Sequence, residues 1–186
     1  MTTDHSASLE APEFGPKEVV YQDAHQEIYS ITADFGDFQK QYFVRDSGLR
    51  AGIVLIKNDS VLLVRQYRIL VQGLSWEVPG GRVEENEAPE QAAIRECAEE
   101  TGLECRDLVP LVVYQPGLDT SNNPTHIFHT SHFHQLPGEY RTPEEVQELS
   151  WIPLADCTRM IANGQITDAL TIISLLSYQV LSSGKK

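Results

Sequence analysis

Three glutamates of this sequence are spaced so that a helix would place their carboxylates on one side. Glu96, Glu99 and Glu100 stand at positions i, i+3 and i+4 of a helix predicted from about Pro89 to Thr101, within an arc of roughly 100°. Carboxylates held this close repel one another, and a divalent cation removes that repulsion because it prefers charged oxygen ligands. Two interpretations follow: an acidic helix face in contact with solvent, or a site for a hard metal ion.

Two glycines before the helix favour the metal site. Gly80 and Gly81 allow the backbone to approach a ligand closely, and the carbonyl of Gly80 is a ligand type that hard cations accept. Pro89 suits the first turn of the helix and Gly102 suits its C-terminal cap. The pattern therefore predicts a glycine turn that leads into a helix with an acidic face.

The segment from Gly81 to Leu103 fits a fixed pattern at every position that the pattern specifies. It reads Gly81, five residues, Glu87, seven residues, Arg95-Glu96-Cys97, one residue, Glu99-Glu100, one residue and Gly102-Leu103. The pattern GX5EX7REUXEEXGU, in which U is a bulky apolar residue, is the signature of the Nudix hydrolases, and Cys97 is its softest match. The chain therefore resembles a Nudix hydrolase over most of residues 18–181.

The resemblance implies a fold, a reaction and a cofactor. The implied fold is α/β, the Nudix fold, in which a mixed β-sheet lies between helices, here with an N-terminal antiparallel strand extension. The implied reaction is hydrolysis of the diphosphate of a nucleoside diphosphate linked to another group, with Mg²⁺ or Mn²⁺ as cofactor. By position, Glu96 and Glu100 would be the main metal ligands, Glu99 a further ligand or the group that orients water, and Gly80 a ligand through its carbonyl.

The loop 139–148 is a second source of carboxylates. In the ADP-ribose pyrophosphatase branch of the family, the water-activating glutamate lies on a mobile loop ahead of a strand, and a strand is predicted here at Glu148–Ile152. The resemblance points to Glu145 as the base and an additional metal ligand, with Glu144 and Glu148 as alternatives and Glu139 as a weaker one. Two competing interpretations remain: Glu99 is itself the base, or the loop is acidic only because it is solvated.

Two segments ahead of the helix resemble that same branch. They are Val64–Arg68 and Trp76–Gly81, and they place Arg68, Trp76 and Glu77 near the expected substrate. An arginine side chain pairs well with phosphate, and an indole ring stacks on a base. The other interpretation is that Trp76 belongs to the core and that the arginines lie on surface strands.

The resemblance favours ADP-ribose as the substrate, cleaved to AMP and ribose 5-phosphate. Pro116, in the loop 115–124, stands close to a proline that this branch carries beyond the helix and is a further substrate-binding candidate. Sugar nucleotides such as ADP-glucose, GDP-mannose and UDP-glucose are the alternative, because the branch that cleaves them shares these features. A third hypothesis, from another class, is a Nudix-like ligand-sensing module without catalysis. Such modules usually have a broken signature, whereas every carboxylate of the signature is present here.

Composition excludes some partners. A net charge of −13 repels the phosphate backbone, so no nucleic-acid binding is predicted. The 3 cysteines form no CxxC pair, which favours a reducing cytoplasm over disulfides or structural zinc. The most apolar region, residues 166–181, is interrupted by polar side chains and predicts an amphipathic helix rather than a membrane span.

The 186 residues suit one catalytic domain with an N-terminal addition. We expect a flexible tail over residues 1–16, a strand region over 17–48 and the Nudix hydrolase domain over 49–186. Strands that precede the minimal domain would leave sheet edges in need of cover. The resemblance implies that they take part in a homodimer.

Overall fold

A computed structural model describes residues 11–137 and 146–184 of the chain. The chain divides into two compact units. The first contains the residues up to Ser47 together with Gly117–Asn123, and the second contains Gly48–Pro116 and the residues from Pro124 onward. None of the helices within the described ranges is long and apolar enough to cross a membrane.

The described residues form eight strands, then helix α1, six further strands and two final helices. In chain order the elements are β1 (Glu13–Phe14), β2 (Glu18–Gln22), β3 (Glu27–Asp34), β4 (Gln39–Asp46), β5 (Arg50–Lys57), β6 (Ser60–Arg68), β7 (Gly73–Glu77), β8 (Gly80–Arg82), α1 (Pro89–Thr101), β9 (Leu103–Cys105), β10 (Val109–Tyr114), β11 (Ser121–Asn122), β12 (Thr125–Thr130), β13 (Phe133–Gln135), β14 (Val146–Pro153), α2 (Leu154–Ala162) and α3 (Ala169–Ser183).

The first unit is a five-stranded sheet built around the hairpin of β3 and β4. These strands pair antiparallel over their full length, from Glu27 opposite Asp46 to Asp34 opposite Gln39. β1 and β2 pair with β3, and β11 runs parallel to β4. β1 and the following Gly15 N–H hydrogen-bond to β3, so Glu13–Gly15 belong to this sheet.

The second unit contains a seven-stranded mixed sheet. Its strand order is β10-β12-β5-β6-β14, with β7 added to β6 and β8 added to β5. β12 runs parallel to β5, and the other pairs in this sheet are antiparallel. β9 and β13 form a separate two-stranded ribbon.

The sheet of the second unit carries an apolar cluster on each face. Alternate residues of a strand point to opposite faces, so β5 and β6 supply both clusters. Beneath α1 the buried residues include Ala51, Ile53, Leu55, Leu62, Ala93, Cys97 and Phe128. On the side of α2 and α3 they include Val54, Val61, Leu63, Ile127, Leu170 and Leu175. The prediction of an α/β fold with a mixed sheet between helices is confirmed.

Helix α1 has the bounds that its end signals predict. Pro89 occupies the first turn, where no backbone donor is needed, and the Gln91 side chain accepts a hydrogen bond from the Ala88 N–H at 3.0 Å. Gly102 ends the helix in the left-handed conformation with φ 73°, and its N–H donates to the carbonyl of Ala98. The helix is thus fixed at both ends, and its position along the sheet fixes where its glutamates lie.

Candidate active site

The glycine turn and the acidic helix meet because β8 pairs with β5. Gly80 lies opposite Gly52, and a Cβ atom at Gly80 would come within 2.5 Å of the Ala51 carbonyl oxygen. A Cβ atom at Gly81 would come within 2.3 Å of Oε1 and 2.6 Å of Oε2 of Glu96. All three distances are far shorter than a carbon contact permits. Only glycine at these two positions lets the turn lie against the neighbouring strand on one side and against the Glu96 carboxylate on the other.

Glu100 is a buried carboxylate held by two donors. Its side chain accepts a hydrogen bond from the Gln66 amide at 2.6 Å through Oε1 and one from the Gly80 N–H at 3.0 Å through Oε2. Burial is the largest effect on this group and raises the pKa of Glu100 to about 7, although both donors and Arg68 act in the opposite direction. The nearby carboxylate of Glu96 raises the pKa of Glu100 further.

Glu96 and Glu99 share one arginine. The Nη1 group of Arg95 donates to Oε1 of Glu96 at 2.9 Å and to Oε2 of Glu99 at 3.2 Å. Burial raises the pKa of Glu96, against the effect of the Arg95 hydrogen bond, whereas the Glu99 side chain is half exposed. Glu96 is therefore the second desolvated carboxylate of the site, and Glu99 lies at its solvent edge.

Arg95 also ties the loop ahead of the helix to α1. Its Nε and Nη2 groups donate to the two carboxylate oxygens of Glu87 at 2.9 and 3.1 Å, and Nη2 donates to the Arg82 carbonyl at 2.9 Å. Hydrogen bonding to Arg95 lowers the pKa of the Glu87 carboxyl. A two-point arginine–carboxylate pair fixes orientation as well as distance. It therefore holds the loop that carries Gly81 and Arg82 in place against the helix.

The donor set fits a divalent cation of the kind that the resemblance implies. Two desolvated carboxylates, Glu96 and Glu100, lie on one helix face beside the backbone of Gly80, and their charges repel each other. No three acidic, histidine or cysteine side chains of the described residues converge into a ready metal cage, since Arg95 draws Glu96 and Glu99 towards itself. Mg²⁺ normally takes only one or two protein carboxylates and completes its shell with water and substrate phosphate oxygens. The arrangement suits that mode.

Arg68 and Glu77 form an ion pair on neighbouring strands. The Nε and Nη2 groups of Arg68 bind the two oxygens of Glu77 at 2.8 and 2.5 Å, and Glu77 is buried. The hydrogen bond to Glu77 raises the pKa of Arg68, and the charge of Glu100 acts in the same direction. Arg68 itself remains partly exposed. The structure therefore brings these two predicted substrate residues together with Glu100.

Trp76 and Pro116 occupy other surroundings. Trp76 precedes Glu77 on β7, so its side chain points to the opposite face of the sheet, where it packs against the cluster beneath α2 and α3. The guanidinium of Arg65 lies over its ring at 5.3 Å. Pro116 is exposed just beyond β10. Glu144 and Glu145, the predicted loop carboxylates, lie outside the described residues.

Two contacts at the site have no counterpart among the sequence signals. Gln66, which binds Glu100, lies in the segment Val64–Arg68 and shares a strand face with Arg68, but the sequence assigns it no role. Thr171, at the start of α3, accepts a hydrogen bond from the Val78 N–H at 3.0 Å, and Asp168 in turn accepts from Thr171 at 2.7 and 2.8 Å. The latter contacts hold the strand end that leads into Gly80. No spacing signal connects residues this far apart in the chain.

The raised pKa of Glu100 gives a pH-dependent prediction for the metal-free protein. A carboxyl group with a higher pKa in the folded state binds more protons there, so the contribution of Glu100 to the unfolding free energy falls as the pH rises from about 4.3, the unfolded value, to about 7. We expect Glu100→Gln to remove this contribution, and the variant to gain on the order of 3 kcal/mol relative to the wild type across that range. Urea unfolding in EDTA at several pH values measures the difference in unfolding free energy between the two proteins. Parallel curves of unfolding free energy against pH would contradict the prediction.

The chain is similar to known proteins in sequence and in fold. The model of the NUDIX domain family matches residues 46–170. A CMP-5'-(N-acetyl-N-hydroxy-3-aminopropyl)phosphonate hydrolase of Streptomyces rubellomurinus is 30% identical over 81% of this chain and 73% of its own length. An ADP-ribose pyrophosphatase of Bacillus subtilis is 23% identical over 88% of this chain and 90% of its own length. The crystal structure of an ADP compounds hydrolase superposes with a TM-score of 0.82 at 21% identity, over 97% of this chain and 98% of that one.

The chain belongs to the NUDIX domain family. The prediction from the sequence that the chain is a Nudix protein similar to ADP-ribose pyrophosphatases is confirmed. The predicted Nudix fold is confirmed as well. The protein is accordingly a hydrolase that acts on a pyrophosphate-type linkage of a nucleotide derivative.

Proposed function

We propose that the protein hydrolyses ADP-ribose to AMP and ribose 5-phosphate with Mg²⁺ or Mn²⁺ as cofactor. The observation that carries the proposal is the pair of desolvated carboxylates Glu96 and Glu100 beside Gly80, with Arg68 and Glu77 adjoining them. The similarity to the Bacillus subtilis ADP-ribose pyrophosphatase over 88% of the chain supports the choice of substrate. Three free cysteines, all buried, suit the reducing cytoplasm that we propose as its location.

Each residue has a defined task in this proposal. Glu96 and Glu100, with the Gly80 carbonyl, hold the cation, and Glu99 supplies a further carboxylate at the solvent edge of the site. A bound divalent cation neutralises the diphosphate and lowers the pKa of its water. Glu77 orients the Arg68 guanidinium through Nε and Nη2, so that the Nη1 group faces a phosphate oxygen of the substrate.

Water attacks one phosphorus atom of the diphosphate, and the bridging P–O bond breaks to give two phosphate monoesters. The proton of the attacking water passes to a carboxylate base, for which Glu145, Glu144 and Glu99 remain the candidates. A base must come within about 3 Å of that water or reach it through one further water. The roles of Trp76 and Pro116 in substrate binding likewise stay predictions from the sequence.

A substrate panel with Mg²⁺ tests the choice of substrate. We expect ADP-ribose to give the highest kcat/KM, with AMP and ribose 5-phosphate as the products identified by mass spectrometry, and EDTA to abolish the reaction. ADP-glucose, GDP-mannose and UDP-glucose belong in the panel as the sugar-nucleotide alternative. A sugar nucleotide turned over well, with ADP-ribose the poorest substrate, would overturn the ADP-ribose assignment and leave the hydrolase assignment intact.

A second candidate substrate rests on the relative with 30% identity. That protein is named for hydrolysis of a CMP-linked phosphonate, in which a nucleotide phosphate is joined to a phosphonic acid. The same metal-binding carboxylates would serve either anhydride, because both present paired phosphorus oxygens. A CMP-linked phosphonate therefore completes the panel. If the protein releases CMP from this phosphonate faster than it releases AMP from ADP-ribose, the second function is favoured.

We also propose that the protein is a homodimer built on the first unit. This unit exposes large apolar side chains on its strands, among them Val20 at 61% and Phe43 at 55%. It also contains an apolar groove of about 420 Å³, lined by Tyr29, Ile31 and Tyr42 among others. Such surface is unusual unless a partner covers it.

Sedimentation equilibrium measures the oligomeric state. We expect a dimer at micromolar concentration, and we expect the charged substitutions Val20→Glu and Phe43→Glu together to shift the protein to a monomer. Val180→Glu, at a site on α3 that is 76% exposed, is the matched control and should leave the dimer intact. A monomeric wild type at high concentration would contradict the proposal.

A further inference from the structure

Gln66 is a buried amide that binds a buried carboxylate of the active site. Its Nε2 group lies 2.6 Å from Oε1 of Glu100, and the two residues are 4% and 6% exposed. A carboxylate accepts hydrogen bonds but cannot donate them when ionised. In the ionised form of Glu100, which is the form that binds a cation, the amide nitrogen of Gln66 must therefore face the carboxylate, as it does in the structure.

The backbone of Gln66 is fixed from both sides. It lies near the C-terminal end of β6, opposite Ser75 of β7 and Val146 of β14, and both of these residues are buried. A side chain that starts from the centre of three paired strands has little freedom to follow a moving partner. Gln66 is thus a rigid donor aimed at the helix, not a surface residue that happens to reach it.

The two donors to Glu100 act on different oxygens. Gln66 binds Oε1, and the Gly80 N–H binds Oε2 at 3.0 Å. Each oxygen keeps a second lone pair for another partner. One donor alone would let the carboxylate rotate about that contact, whereas two donors on opposite oxygens fix its plane.

We propose that Gln66 is a positioning residue for Glu100: it holds the carboxylate in the orientation in which Glu100 binds the divalent cation. The proposal rests on the metal-binding role of Glu100 given above. Gln66 does not contact the cation itself. Its contribution is to remove the need for the carboxylate to reorient when the cation arrives, and partners of this kind typically change metal affinity by about 10- to 100-fold.

The test is a titration of the substrate-free protein with Mn²⁺. Electron paramagnetic resonance measures the concentration of free Mn²⁺ at each step. Gln66→Met keeps the length of the side chain and removes the donor, so we expect its dissociation constant for Mn²⁺ to rise at least about 10-fold. Gln66→Asn keeps an amide but withdraws it by about 1.5 Å, one carbon–carbon bond, and should lose affinity similarly. If the Met variant does not fold, the affinity of the Asn variant provides the measurement.

Two further measurements separate positioning from general damage. Gln41→Met, at an exposed glutamine on β4 of the first unit, should bind Mn²⁺ as the wild type does. In turnover, the Gln66 variants should need more Mg²⁺ for half-maximal rate while the KM for substrate at saturating Mg²⁺ stays unchanged. A loss of packing alone would not produce that split.

The outcomes distinguish this proposal from the function on which it rests. A wild type that binds Mn²⁺, together with a folded Gln66→Met or Gln66→Asn variant of equal affinity, would overturn the positioning role and leave the proposed function standing. A wild type that binds no Mn²⁺ would overturn both. A selective loss of affinity in the Gln66 variants, with Gln41→Met unaffected, supports the proposal.

Discussion

Glu100→Gln and Glu96→Gln should each reduce kcat by at least about 1000-fold, equivalent to about 4 kcal/mol of transition-state stabilisation. Each substitution replaces a charged oxygen ligand of a hard cation with a neutral amide of the same shape. Both carboxylates are desolvated, so no solvent-exposed group can take over their charge at the same place. The loss should appear in kcat at saturating Mg²⁺ and not only in the metal requirement.

The control for this prediction is Glu90→Gln, which removes an acidic residue from the exposed first turn of the same helix. It should retain nearly full activity, because the charge of Glu90 lies outside the site. Circular dichroism should show a cooperative unfolding transition for all three variants. Near-wild-type turnover by Glu96→Gln or Glu100→Gln at limiting Mg²⁺ would mean that the cation binds elsewhere.

The sequence predicts α1 and its glutamates well because the relevant signals are local. Pro89 and Gly102 determine the ends of the helix from their own backbone preferences. Once the ends are known, the 3.6-residue period places Glu96 and Glu100 on one face without reference to the rest of the chain. The acidic side of the candidate site can therefore be assigned from the sequence alone.

The opposite side of the site depends on strand pairing, which local signals do not determine. The sequence predicts a turn around Gly80, but the structure places this segment in β8, paired with β5 and therefore close to Glu100. Gln66 reaches Glu100 because the sheet and the helix pack together, at a separation of 34 residues. Its sequence neighbours Arg65 and Tyr67 give no indication of that contact.

The position of Trp76 shows a different limit of the sequence. Its type suits base stacking, and its place directly before Glu77 suggests that both would approach one substrate. Adjacent residues of a strand point to opposite faces, however, and the pairing of β7 with β6 directs Glu77 towards Arg68 and Trp76 towards Arg65. A residue's neighbour in sequence is therefore a poor guide to its neighbour in a sheet.

Substitution of the two adjacent glycines should have different consequences. Gly80→Ala should lower the stability of the fold, whereas Gly81→Ala should lower kcat and leave the stability nearly unchanged. In Gly80→Ala the added Cβ meets the Ala51 carbonyl oxygen at 2.5 Å and the Gly52 Cα at 2.7 Å, both of them backbone atoms of β5. Backbone in a paired strand cannot move aside without breaking the sheet, so we expect a loss of about 1 to 3 kcal/mol and a fall in Tm of about 2 to 12 °C. Gly73→Ala, where the nearest atom would be 3.6 Å away, is the matched control and should change Tm little.

In Gly81→Ala the three atoms nearest to the added Cβ belong to the carboxylate end of Glu96, at 2.3 to 2.6 Å, and a side chain can rotate away. The Tm should therefore stay close to that of the wild type. Rotation moves the Glu96 carboxylate from its place beside the turn, however, so we expect kcat to fall by about 100-fold or more, because a misplacement of about 1 Å costs that much. Thermal unfolding and steady-state kinetics on Gly80→Ala, Gly81→Ala and Gly73→Ala measure both effects. Full activity in Gly81→Ala would show that catalysis does not depend on the position of Glu96 against the glycine turn.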